Sequence, residues 1–168
     1  MSCSSVTSRH YATNQVSFRR VPVHNGKGLI QQSTGVTCSP AAASMLLDRY
    51  GFKVSEGFLA ERSGTDLTGT DDLSLARALD SIIADHGLRA SVGSLTYRQA
   101  AGLGRPFIAA VVLPELGPHS VEVTSIGSRG VTIADPMSGG EDQLSTSEFK
   151  RAWTGTAVWI SGSSRTGT

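Results

Sequence analysis

Apolar residues recur along this chain at two different spacings, and the change from one to the other falls near Pro106. Before that point the spacing is helical. Ala42, Met45, Leu46 and Arg49/Tyr50 predict a first helix from about Cys38 to Tyr50, with Pro40 suited to its first turn and Gly51 as its stop. A short second helix follows Ser55 and carries Phe58 and Leu59. A third begins at Asp71/Asp72 or Ser74, presents Leu75, Leu79, Ile82 and Ile83 on one face, and ends at His86-Gly87. A short fourth lies near Thr96 to Ala101.

From Pro106 onward the pattern becomes extended. Phe107 to Leu113, His119 to Ile126, Val131 to Ala134 and Ala157 to Ile160 read as strands. The turn signals Gly117-Pro118, Gly127-Ser128-Arg129-Gly130 and Ser138-Gly139-Gly140 separate them. A short helix capped by Ser145 or Ser147, with Glu148 and Phe149 inside, interrupts the strands before Trp153. Helices first and an antiparallel sheet afterwards predict an α+β fold with an N-terminal helical lobe, a C-terminal sheet lobe and a cleft between them. Residues 1–17 and 162–168 read as polar tails, leaving 18–161 as a single domain.

Composition narrows the function classes. A chain of 168 residues can bury a core of its own, and 15 basic against 14 acidic side chains give no electrostatic case for nucleic acid or an acidic membrane surface. The longest apolar run, Pro106 to Leu113, falls far short of the ~20 residues of a membrane span. Of the two cysteines, Cys3 sits in a Ser-rich start, so a disulfide to Cys38 is not the expected state, and no second thiol stands at zinc-ligand spacing to either. No metal and no cofactor is expected. The start Met1-Ser2-Cys3-Ser4-Ser5 reads either as a lipoprotein junction or as a native start.

Cys38 is the residue that changes the picture. It stands at the mouth of the first helix, where the partial positive charge and free N–H groups of a helix N-terminus favour a thiolate. A cysteine nucleophile needs a base, and the chain offers His10, His24, His86 and His119. His10 and His24 lie in or near the tail, and His86 complements the carbonyl end of a helix. His119 opens a strand directly after Gly117-Pro118. Asp135, followed by Pro136, ends the next strand and falls beside His119 if the two strands pair through the Gly127 to Gly130 turn; there it would accept the second ring N–H. Singly, each has a structural reading: a small core thiol, a strand histidine, a turn aspartate, and, for Gln32, a loop amide. Together, Gln32, Cys38, His119 and Asp135 stand in the papain-like order.

These intervals resemble the bacteriocin-processing peptidases, which remove double-glycine leaders and occur both as N-terminal domains of peptide-exporting ABC transporters and as free-standing proteins. Gln32 precedes Cys38 by six positions, and Asp135-Pro136 follows His119 by sixteen, as in that family. Leu46 to Gly51, Pro106-Phe107-Ile108, and Glu148-Phe149 to Trp153-Thr154-Gly155 also resemble it, so the likeness runs from about Val21 to Ile160. One position departs: members commonly carry Gly after the cysteine, where this chain has Ser39, a small residue able to cap a helix.

The resemblance implies a papain-like fold and cleavage after a Gly-Gly or other small-small pair. Cys38 would be the nucleophile, His119 the general base and acid, Asp135 its orienter, and Gln32, with the Cys38 backbone N–H, the oxyanion hole. It implies a leader-bearing peptide or protein as substrate and an ABC transporter or other export machinery as partner. The place of action would be bacterial, at the cytoplasmic side of an exporter or in the periplasm. Two alternatives stay open on the sequence: a non-catalytic leader-binding domain, and another papain-like amidase or acyl transferase. Gly139-Gly140 raises the idea of self-cleavage, but its place between an extended segment and Glu141-Asp142 reads as a hairpin turn.

Overall fold

The first helix, α1 (Cys38–Arg49), is buried without interruption from Cys38 to Leu47. Its small residues Ala41, Ala42 and Ala43, all fully buried, let neighbouring backbones approach closely. The computed structural model of the chain describes residues 24–25 and 28–162, so the tail expected over 1–17 and residues 163–168 lie outside the described residues. Ser55 caps α2 (Glu56–Arg62) by accepting from Phe58 N–H, and Asp71 caps α3 (Asp72–Ile83) through Ser74 N–H. A 3-10 turn over Ala84–His86 carries α3 to Gly87, whose left-handed backbone ends it, as the His86-Gly87 stop predicts.

β1 (His24–Asn25) and β2 (Leu29–Ile30) form a small antiparallel pair ahead of α1. The main sheet contains β3 (Arg89–Ser94), β4 (Phe107–Leu113), β5 (Gly117–Gly127), β6 (Gly130–Asp135), β7 (Gly140–Leu144) and β8 (Trp153–Ser161). Their order is β3-β8-β4-β5-β6-β7, and every pairing is antiparallel. α4 (Tyr97–Gly102) and α5 (Thr146–Ala152) both begin with capping boxes, Thr96 with Gln99 and Ser145 with Glu148.

Strand alternation divides the apolar residues between two cores. Ile108, Val158 and Ile160 face α1, α2 and α3 and pack with Leu46, Leu47, Leu59, Leu75 and Leu79. Phe107, Ala109, Val111, Val121, Val123 and Val131 face the other way and are covered by Ala100 of α4 and Phe149 of α5. The sheet is therefore covered on both faces. Two strands of the main sheet, and the short β1–β2 pair, escape the sequence pattern. β3 has no fully buried residue and owes its place to pairing with β8, while β7 is a polar edge strand, its charged residues fitting an exposed sheet margin. Gly139-Gly140 is the expected hairpin: Gly139 N–H donates to Asp135 O at 2.8 Å and Gly140 pairs with Asp135.

Candidate active site

Three backbone features converge where β5 and β6 meet the start of α1. The Gly127 to Gly130 turn joins β5 to β6 as expected, Gly127 pairing with Gly130 and Glu122 with Ala134. That register brings the beginning of β5 level with the end of β6. His119 Nε2 and Asp135 Oδ1 lie 2.6 Å apart, with His119 2% exposed. The same Oδ1 accepts Met137 N–H at 2.8 Å. Burial raises the carboxyl's pKa, but the His119 hydrogen bond and charge and the Met137 N–H outweigh it and hold Asp135 below the usual carboxylate range. An ionised carboxylate fixes Nε2 as the protonated nitrogen, which leaves Nδ1 to act on a thiol.

The loop that precedes α1 is tied to the loop that follows Asp135. Gln32 N–H donates to Pro136 O at 2.7 Å, and Gln31 Nε2 to Met137 O at 3.2 Å. Gly139, with φ of +66°, permits this approach; a Cβ on it would come within 2.9 Å of Gln31 Cβ. The Gln32 side chain is 7% exposed. Its Nε2 donates to Thr34 O at 2.7 Å, which uses one of the two amide hydrogens. Its Oε1 is buried and has no hydrogen-bond partner among the described residues. Ser33, the next residue, is anchored by Glu56 at the start of α2: Oε1 accepts both its N–H and its hydroxyl at 2.9 Å. Glu56 is 1% exposed, so the loop is fastened from below.

At the mouth of α1, Thr37 occupies the N-cap position, but no side-chain hydrogen bond caps the helix. Its hydroxyl is engaged with Thr34 instead. The first turn therefore keeps the electropositive character of a helix N-terminus. Cys38 is fully buried at the first position of α1. The chain's other cysteine, Cys3, lies outside the described residues.

Helix and strand meet directly beside the candidate pair. Ser39 Oγ and Ser120 Oγ, each the residue after a proposed catalytic one, are 2.8 Å apart and fully buried. Further along the same helix, Arg49 grips the buried Glu122 of β5 through Nε at 2.5 Å and Nη2 at 3.1 Å. Burial nonetheless holds the Glu122 pKa above the usual range, because desolvation outweighs the attraction of Arg49. Sequence reasoning missed Ser120, Glu122 and Glu56. The alternation of Ser120, Glu122 and Thr124 with Val121 and Val123 signals a solvated face, and only the covering helix makes it an interior one.

Comparison with known proteins follows the same lines. A family model described as the peptidase C39 family matches residues 27–165. The lactococcin-G-processing and transport ATP-binding protein LagD of Lactococcus lactis is 29% identical over 133 residues, covering 79% of this chain but 18% of that protein. The chain thus spans under a fifth of that curated relative's length. An uncharacterized protein of Methanothermobacter marburgensis is 31% identical over 133 residues, which make up 87% of its length. Among solved structures, the peptidase domain of Streptococcus ComA, a bifunctional ABC transporter involved in quorum sensing, superposes with a TM-score of 0.69 at 25% identity, covering 80% of this chain and 98% of that domain. A double-glycine-motif protease from an AMS/PCAT transporter, in complex with its leader peptide, superposes with the same TM-score of 0.69, covering 86% of this chain and 100% of that one; at 21% identity it speaks for the fold. With 139 consecutive positions inside the family match, 27 through 165, the chain belongs to the peptidase C39 family.

Proposed function

We propose that this chain is a cysteine endopeptidase that cleaves leader peptides of exported peptides or proteins after a Gly-Gly or similar small-small pair, with residues 18–161 working as one domain. The observation that carries the reading is the 2.6 Å His119–Asp135 pair, set beside the cysteine-bearing end of α1 in a chain of this family.

In the reduced protein, His119 Nδ1 takes the proton of Cys38, and the resulting thiolate attacks the carbonyl carbon of the second glycine. The carbonyl π pair moves to oxygen, and the free Nε2 hydrogen of Gln32 with the Cys38 N–H stabilises it. Collapse of this intermediate expels the amine of the following residue, which takes the proton from His119 and leaves a thioester on Cys38. Water, deprotonated by His119, then hydrolyses the thioester, freeing the leader's C-terminal carboxylate and restoring the thiol. Asp135 stays ionised throughout and steadies the imidazolium. The curated relatives named as processing-and-transport proteins support an export partner for the substrate.

The test is incubation of the reduced protein with a peptide carrying a Gly-Gly leader junction, alongside Cys38→Ala. A single cut after the second glycine, absent in the variant, is expected. Binding without cleavage by the reduced wild type would favour a leader-holding domain instead, and cleavage retained by Cys38→Ala would remove the thiol from the mechanism.

A further inference from the structure

We infer that the buried Ser39–Ser120 hydroxyl pair is a positioning device that sets the nucleophile against its base. The inference rests on the reading of Cys38 and His119 as the reacting pair. Those two residues belong to different elements, Cys38 to α1 and His119 to β5, so their separation depends on how the helix sits on the strand. A thiolate–imidazolium pair is sensitive to that separation, since a misplacement of about 1 Å can cost ~10²-fold in rate.

Ser39 and Ser120 stand one residue beyond the reacting pair on each element, and their oxygens meet at 2.8 Å with Ser39 0% and Ser120 1% exposed. A direct hydroxyl bond in a water-free setting is short and directional, whereas the apolar contacts of the alanine-rich helix face allow sliding. The second polar tie between the same helix and strand, Arg49 with Glu122, lies eleven positions from Cys38, a distance of about 16 Å along α1. Arg49 limits tilting of the helix as a whole. The serine pair ties β5 to its first turn. The departure at Ser39 thus has a function that glycine, lacking a hydroxyl, cannot supply.

The test measures the rate of Cys38 alkylation by iodoacetamide against pH on reduced protein, which reads thiolate formation and does not depend on knowing the substrate. Wild type, Ser39→Ala, Ser120→Ala and the double variant are compared. Each single variant should shift the profile toward that of an ordinary thiol and lower kcat on a cleavable Gly-Gly peptide about tenfold, with KM within about twofold. The double variant should be no worse than the singles, because the same bond is lost once. Ser44→Ala, which removes a hydroxyl bond from the same helix to Val54 O, should lower Tm without moving the profile. That contrast separates positioning from stability, and the double variant, which leaves no orphaned hydroxyl between the two sites, keeps a folded protein available if a single variant is unstable. A wild-type profile identical to the Ser39→Ala and double-variant profiles would overturn the inference. Uncut peptides with an intact difference in alkylation would instead count against the peptidase reading and leave the positioning role standing.

Discussion

Replacing Asp135 tests whether the aspartate acts through His119. Asp135 accepts from Nε2 at 2.6 Å and from Met137 N–H at 2.8 Å, with its side chain 16% exposed. A hydrogen bond to a charged group in such a setting contributes about 1.5–3 kcal/mol. Asp135 steadies the imidazolium formed when His119 takes the thiol proton, so the loss should fall on kcat: about 10- to 150-fold for Asp135→Ala. Asp135→Asn should lose less, since its carbonyl can still accept from Nε2, but it too lacks the anion. The depressed pKa of Asp135 places its own protonation below the ordinary range near ~3.9, so the acid limb in the wild type should not belong to this residue. The assay is cleavage of a fluorogenic Gly-Gly leader peptide across a pH series. Rates within twofold of wild type would refute the orienting role.

Three further outcomes follow from the same geometry. Gln32→Ala should reduce kcat by about 10² to 10³ with little change in KM, as loss of one oxyanion donor does; a loss confined to KM would point to substrate binding instead. Arg49→Ala leaves Glu122 buried without its partner and should cost about 3 kcal/mol of stability at neutral pH, measured by denaturant unfolding. Because the folded-state pKa of Glu122 is raised, the native state favours its protonated form, so this penalty should grow as pH rises through the carboxylate range and shrink below it; a pH-independent loss would contradict the assignment. Finally, treating the reduced wild type with iodoacetamide should abolish cleavage, whereas Cys3→Ser should cleave as the wild type does, both read in the same cleavage assay.

The elements that carry the site were legible because local signals marked them. Pro40 in the first turn, the helix start after Ser55 and the Gly127 to Gly130 turn appear where the spacing predicts, and the caps Asp71 and Ser145 are each one of the alternatives the sequence offered. The turn also fixed the His119–Asp135 register, since a β-hairpin couples residues across its two strands. β3 and β7 were not legible, because a half-exposed strand and a polar edge strand lack apolar alternation and are specified by their neighbours. The Glu56–Ser33 anchor, the Arg49–Glu122 pair and the Ser39–Ser120 contact join residues 23, 73 and 81 positions apart. No local rule relates side chains at such separations.

In the proposed reaction Cys38, activated by His119, attacks the bond after a Gly-Gly pair. Covalent trapping tests it most directly: reduced protein is treated with a leader-derived peptide ending in a Gly-Gly chloromethyl ketone, and the adduct is located by mass spectrometry. One adduct is expected, on Cys38, lost in His119→Ala and slow for a peptide whose terminal glycines are replaced by leucines. Labelling of Cys3 in preference to Cys38, or equal labelling by the leucine peptide, would contradict it.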